Sequence, residues 1–352
     1  MTVFIGIPTF NRPELVRATI DSVRRQTYEN FVAVVSDNCS DPAASAKVRD
    51  YVRELGDARF RFHRQPVNGG EYGQGRYFLK ESEGADYVMI VHDDDVIAPD
   101  LLARSIALLS DRAEIALFVA NCWVIDHDGQ LSPGATRQYL ADHGRCGRAA
   151  GTFDVLDNHL ATGFTPISGT LFRRSALVES GFVDPAGTGN FPFECDLFLR
   201  LGDIGAKGWF TPAQLVSIRY HESSLRQTLK LMDNADVVRP MLRLLEQRRY
   251  GGWRERRRRV LVSRLQRADA LIHLRNGQIA LTRRLLAKAC GSNPLSPRAW
   301  AARILAWSSP GSLRSRLPPL PPAVLVGDEI AQSLEIPPVE PERGAQGEGV
   351  FA

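Results

Sequence analysis

The chain has 352 residues, 44% hydrophobic and 24% charged, which is enough apolar material for one large core and a smaller second unit. Its formal charge of +4 comes mostly from Arg, a residue suited to phosphate or carboxylate groups, and no motif for specific nucleic-acid recognition accompanies it. Five scattered cysteines (Cys39, Cys122, Cys146, Cys195, Cys290) without a CxxC pair argue against a disulfide framework or a thiolate zinc site and for a reducing cytoplasm, and no apolar run of about 18 residues predicts a membrane span.

The apolar run at 3–7 ends at Pro8, and Pro13 opens a segment whose Leu15, Val16, Thr19, Ile20 and Val23 recur at helical spacing. A strand, a loop and a helix are expected there. The pattern returns as a strand at 31–36, a helix at 43–55, a strand at 60–64, a helix at 72–83 and a strand at 87–91. Such alternation implies an α/β fold, a mostly parallel sheet flanked by helices with ligands at the carboxyl ends of its strands. The loops after Ile7, Ser36 and His92 therefore matter most. Beyond about residue 112 the order is less regular, with a strand at 115–125, a Gly- and Arg-rich loop at 129–151 and a strand at 167–173. Residues 226–309 read as helices, including a hairpin broken at Asn276-Gly277, and the Pro-, Gly- and Glu-rich tail at 310–352 reads as mobile.

Asp93, Asp94 and Asp95 directly follow a buried strand. Helix capping explains one of them, whereas three adjacent carboxylates repel unless something positive joins them. A divalent cation such as Mn²⁺ or Mg²⁺ does so and can bridge them to diphosphate oxygens.

The ordered segments PTFNRPELVRATIDSVRRQTYENFVAVVSDNCSD, NGG at 68–70, HDDDVIAPDLL, ISGTLFRRSALVESGFVDP, FECDLFLRL and SIRYHESS resemble the family 2 glycosyltransferases of the GT-A fold over about the first 225 residues. The resemblance implies a nucleotide-binding half at 1–111 and an acceptor-binding half at 112–225. It places Pro8, Thr9, Phe10, Asn11 and Arg12 around a nucleoside and Asp37 against the pyrimidine imide. Without it, Asn11 could cap a helix and Asp37 could form an Asx-turn. Asn68, Gly69 and Gly70 would allow a close backbone approach to the donor, or form only a turn. In the aspartate motif, literal DxD spacing selects Asp93 and Asp95. Counting back from Pro99 selects Asp94 as the principal ligand and puts His92 in the first acidic position, where it could equally just end the strand.

The resemblance also makes Glu194 or Asp196 the base that deprotonates the acceptor; otherwise both are charges favourable at a helix N-terminus. It makes His221 a further metal ligand. Arg219 could neutralise diphosphate or stand solvated on its strand. The basic run at 248–260 suggests peripheral membrane contact or a solvated face. The implied activity is inverting transfer of a sugar from a UDP- or dTDP-linked donor to a hydroxyl acceptor, for glycan, polysaccharide or natural-product synthesis. A sugar-nucleotide nucleotidyltransferase and a non-catalytic adaptor on the same fold are the rival readings.

Overall fold

The segment VFIGIPT forms a strand because its side chains alternate between two apolar layers, with Val3, Ile5 and Ile7 in one and Phe4 in the other. In the computed structural model, which describes residues 1–162, 165–181, 192–220 and 231–317, this strand is β1 (Val3–Thr9) of a nine-stranded sheet. It leads into α1 (Pro13–Arg24), β2 (Phe31–Asp37), α2 (Pro42–Glu54), β3 (Phe60–Arg64), α3 (Gly70–Glu81) and β4 (Tyr87–Ile90). These four strands are parallel, in the order β3-β2-β1-β4. Gly6 is dictated by packing, since a Cβ there would come within 2.6 Å of the Phe78 ring of α3.

The chain continues through β5 (Val96–Ile97), α4 (Leu101–Ser110), β6 (Ile115–Ile125), α5 (Pro133–Asp142), β7 (Gly151–Asp154), α6 (Val155–Thr162), β8 (Leu171–Arg173), α7 (Arg174–Glu179), α8 (Phe193–Asp203) and β9 (Lys207–Arg219). The sheet extends as β4-β8-β6-β9-β5; β8 is antiparallel to both neighbours, β9 is parallel to β6, and β5 and β7 are antiparallel to β9. Side chains of α1, α2, α4 and α5 cover one face, and those of α3, α7 and α8 the other.

Two sequence expectations need correction. The loop expected at 129–151 contains α5, which begins at Pro133 and buries Thr136 and Tyr139. Two buried positions among polar neighbours are too few to read as a period. Of the strand expected at 167–173, only Leu171–Arg173 is extended; upstream, Gly169 takes φ +73° and Ser168 makes a single bridge to Ile90.

The second unit comprises a 3₁₀ turn (Leu231–Asp233) and α9 (Ala235–Glu246), α10 (Gly252–Arg275), α11 (Ile279–Ser292), α12 (Pro297–Ser308) and α13 (Pro310–Ser315). The α10–α11 hairpin turns at Gly277 (φ +76°), as the sequence indicates. The tail expected to be mobile from Pro310 instead starts with α13, anchored by buried Leu313; its remainder, 318–352, lies outside the described residues.

The unit seats against α6 and α8, where Leu156, Leu160 and Leu199 share a cluster with Val238, Leu242 and Leu265. The basic run at 248–260 helps to form this seat. Arg254 pairs with Asp154 and Asp157, Arg248 with Asp203, and Arg258 with Glu255, while Arg257 and Arg259 donate to the backbone carbonyls of Leu160 and Ser292. With Arg249, which donates to the Glu246 carbonyl, six of the seven arginines expected to face solvent or lipid are bonded within the protein. Among the described residues no helix is long and apolar enough to cross a membrane.

His159 of α6 is buried under this seat, 3.4 Å from Cys195 Sγ, and its Nδ1 has no hydrogen-bond partner among the described residues. Burial, helped by the Arg248 charge, pushes its pKa down to about 4. An unfolded chain protonates the ring near its ordinary 6.5. Stability is therefore full above that pH and falls as the pH drops towards 4, by about 3 kcal/mol at the lower end. Thermal melts of wild type and His159→Gln from pH 7 to 4.5 test this, with a shallower pH slope expected for the variant. Parallel slopes would refute it.

Candidate active site

The parallel pairing that sets Thr9 opposite Asp37 brings the ends of β1 and β2 together, and β4 delivers His92–Asp95 beside them. Asn11 has a left-handed backbone (φ +53°); its N–H donates to Ser40 Oγ and its Oδ1 accepts from the Asp41 N–H, both at 2.8 Å. The N-cap of α1 is Arg12, so Asn11 ties two loops together and does not cap a helix. Phe10 is 43% exposed and Pro8 is half-buried.

Asp37 is fully buried, and its Oδ1 accepts from the Ser40 N–H at 3.0 Å and from the Ser40 hydroxyl. This is the local turn the sequence allowed. Among the described residues its Oδ2 has no hydrogen-bond partner, and it faces Arg64 Nε at 3.5 Å. Asn68 Oδ1 accepts from Asn38 Nδ2 and the Gly70 N–H, and Asn38 Oδ1 accepts from the Gly69 N–H. Gly70 requires glycine for its φ of +62°.

The three aspartates have different surroundings. Asp93 Oδ2 accepts from Thr9 Oγ1 at 2.9 Å, and its Oδ1 lies 3.2 Å from Arg12 Nη1. The same Nη1 is 3.2 Å from Asp94 Oδ2, so Arg12 bridges the pair. His92, Asp94 and Asp95 each offer a ligand atom, and these atoms lie within 4.8 Å of one another. The literal pair Asp93 and Asp95 is therefore not the pair brought together; the ligand atoms that lie beside one another are those of His92, Asp94 and Asp95.

The His92 N–H is anchored on Ser168 Oγ at 3.1 Å. Asp95 Oδ1 accepts the Arg219 N–H at 3.0 Å, and Thr19 Oγ1 donates to the Asp95 carbonyl at 2.8 Å. Burial, with the Asp94 charge next, pushes Asp95 up to about 7 and Asp93 up to about 6. For His92 the burial effect is downward, but Asp95, Glu194, Asp94 and Glu71 outweigh it and its pKa rises.

Glu194, in the first turn of α8, points Oε1 to within 4.0 Å of His92 Nε2 and is partly exposed. Asp196 is 1% exposed, with Oδ2 accepting from Arg200 Nε at 2.8 Å and Oδ1 3.7 Å from Arg248. Burial raises its pKa, opposed by Arg200. Its surroundings suit an ion-pair anchor between the two units and do not suit an accessible base. Asp196→Ala would leave the partly buried Arg200 without its carboxylate and Arg248 with Asp203 alone, and cost about 3 kcal/mol. A lower urea midpoint at unchanged slope is the expected reading, and an unchanged midpoint would count against the anchor.

Arg219 corrects a further expectation, for it is buried and neither solvated nor free for diphosphate. Its Nε donates to the Asp94 carbonyl at 2.9 Å and its Nη1 to the carbonyls of Asp126 and His127. Burial pushes the Cys195 thiol, beside Glu194, up to about 12, so this cysteine supplies no thiolate. His221 lies outside the described residues. One acid was missed by the sequence reading, Glu71 in the first turn of α3, which burial and then Glu194 push up to about 8. Its only sequence signal is its place after the paired glycines.

The family model described as Glycosyl transferase family 2 matches residues 4–128. This chain carries a family 2 glycosyltransferase domain. The matched residues hold β1 to β6 and every loop of the acidic centre except those delivering Ser168, Glu194 and Arg219. Escherichia coli K12 WcaA, whose name links it to colanic acid biosynthesis, is 27% identical over 137 residues, covering 39% of this chain. The match spans about half, 48%, of that relative's length. In fold, the chain resembles S. aureus TarS in complex with UDP-GlcNAc, with a TM-score of 0.63 and 14% identity over 90% of this chain and 91% of the other. It also resembles the Pyrobaculum calidifontis mannosyltransferase PcManGT with GDP-Man and Mn²⁺, with a TM-score of 0.50 and 17% identity over 89% and 83%. The family domain thus has the GT-A architecture expected from the sequence.

Proposed function

We propose that this glycosyltransferase inverts configuration as it moves a sugar from a UDP- or dTDP-linked donor to a hydroxyl acceptor. The observation that carries the reading is the convergence at one sheet edge of an Asp37 oxygen with no hydrogen-bond partner among the described residues, the His92–Asp94–Asp95 group and Glu194. Asp37 Oδ2 is an acceptor suited to the imide N–H of uracil or thymine. The likeness to proteins that hold UDP-GlcNAc and GDP-Man supports a sugar-nucleotide donor without setting its base.

A divalent cation fits the group physically: one imidazole and two carboxylates converge, and burial, with the Asp94 charge next, pushes Asp95 up to about 7. We assign His92, Asp94 and Asp95 as its holders, with His221 as a candidate fourth, and Mn²⁺ as better suited than Mg²⁺ to a set containing nitrogen. When bound, such an ion neutralises charge on the departing nucleotide diphosphate. Arg12, already bridging Asp93 and Asp94, adds a fixed positive group at the same edge. Glu194 accepts the proton of the acceptor hydroxyl, and the oxygen attacks the anomeric carbon opposite the leaving group.

The name of WcaA supports a surface-polysaccharide acceptor, and five scattered cysteines without a CxxC pair suit a reducing cytoplasm. Incubation with a panel of nucleotide sugars, with Mn²⁺ or Mg²⁺, tests the reading. Release of UDP or dTDP with an inverted product anomer is expected, whereas a retained anomer would exclude the mechanism and no turnover with any donor would exclude the activity.

A further inference from the structure

The helical unit differs electrically from the rest of the chain. Residues 252–317 hold fifteen Arg and Lys against two acids, Glu255 and Asp269, and from Ala270 to Leu317 there is no acid at all. The cations at the start of α10 are used against α6, and Arg275 at its end pairs with Asp233, but most of those in between and beyond form no ion pair among the described residues. Arg264, Arg284, Lys288, Arg298, Arg314 and Arg316 are exposed and form no ion pair among the described residues. Arg267, half-buried among them, has its pKa lowered by burial and then by Arg298 and Arg264, so these three cations lie close together.

Beside them, α12 turns large apolar side chains towards water. Ala299, Ala302 and Ala306 face the core, while Trp300, Ile304 and Trp307, at i, i+4 and i+7, are 41%, 62% and 62% exposed. Trp300 Nε1 donates to the Pro294 carbonyl at 2.8 Å, which keeps the indole against the loop carrying Leu295, itself 89% exposed. A single exposed side chain of this size is ordinary, but four on one helix face and its adjoining loop make a patch. The indoles are flanked by cations, with Arg303 5.1 Å from the Trp300 ring centroid and Arg283 4.5 Å from that of Trp307.

We propose that this face, formed by Leu295, Trp300, Ile304 and Trp307 with Arg298 and Arg303 beside it, docks the protein on an anionic lipid bilayer. Indoles rest at the boundary between headgroup and acyl chain, where an apolar body and a polar N–H are both satisfied, and arginines pair with lipid phosphates. A second copy fits less well, because a two-fold contact would set this cationic face against itself. The attachment is independent of the transferase reading and uses residues other than those of the 248–260 run, whose arginines are mostly committed inside the protein.

Flotation of the full chain with vesicles tests the proposal without any donor present. Binding to phosphatidylcholine vesicles containing about a third phosphatidylglycerol should exceed binding to phosphatidylcholine alone by about tenfold or more at roughly 0.1 M salt, and should weaken as salt rises. Trp300→Ala with Trp307→Ala, and separately Arg298→Glu with Arg303→Glu, should each reduce binding about tenfold. Ile304→Ser, a milder change at a fully outward position, should reduce it by a smaller factor while leaving the circular dichroism spectrum unchanged. Arg249→Ala with Arg256→Ala should change it less than about twofold. Loss of binding in that last variant alone, or binding indifferent to the α12 changes, overturns the proposal. So does a failure to bind anionic vesicles, whether light scattering reveals a dimer broken by the tryptophan variant or crosslinks place residues 318–352, with six acids and one Arg, on this face.

Discussion

Glu194→Gln lowers turnover about 10³-fold while leaving donor affinity within about twofold. The substitution keeps the shape and hydrogen-bonding reach of the side chain and removes only its capacity to take a proton. The expectation is specific to this residue because the alternative acid two positions on is sealed between Arg200 and Arg248, where an acceptor hydroxyl would have to displace an ion pair. Single-turnover rates with donor and acceptor, together with donor binding by calorimetry, give the two readings separately. Turnover within tenfold of wild type would move the proton acceptor elsewhere, and Glu71→Gln is then the variant to measure, since that acid shares the pocket.

Asp94→Asn reduces turnover by about 10² to 10³ and raises the Mn²⁺ concentration needed for half-maximal rate. It takes one charge from the convergent group and also one of the two carboxylates that hold Arg12. Asp93→Asn is milder, about tenfold, because its oxygens serve Thr9 and Arg12 and so support the loop indirectly. The ordering of the two variants is the informative result. If Asp93→Asn proves the more damaging and also shifts the Mn²⁺ titration further, literal DxD spacing describes the site and the geometric grouping does not.

The parallel half of the sheet was legible because β1, β2 and β4 are buried on both faces and read as continuous apolar runs, with proline or polar residues where they end. The aspartates at the end of β4 were legible for the same reason. What the letters could not carry was the partition of duties among neighbours. Asp93, Asp94 and Asp95 look alike in sequence and differ through Thr9, Arg12 and Arg219, which arrive from 81 or more positions away in the chain. Arg219 has no sequence signal distinguishing a buried tie from a phosphate ligand. The hidden α5 shows the converse limit, as a short helix with two buried side chains leaves almost no periodic trace. The arginines at 248–260 likewise read as surface charge because their acids, Asp154, Asp157 and Asp203, lie on other elements.

Asn11 and Cys39 both hold left-handed backbones at the ends of adjacent strands, conformations that cost non-glycine residues about 1 to 3 kcal/mol each. That cost is met once, when the chain folds, by the hydrogen bonds that lace the two loops together. A nucleotide arriving at such a preshaped cradle has little left to organise. Correct and incorrect bases should then enter at similar speeds, and selectivity should reside in how long each one stays.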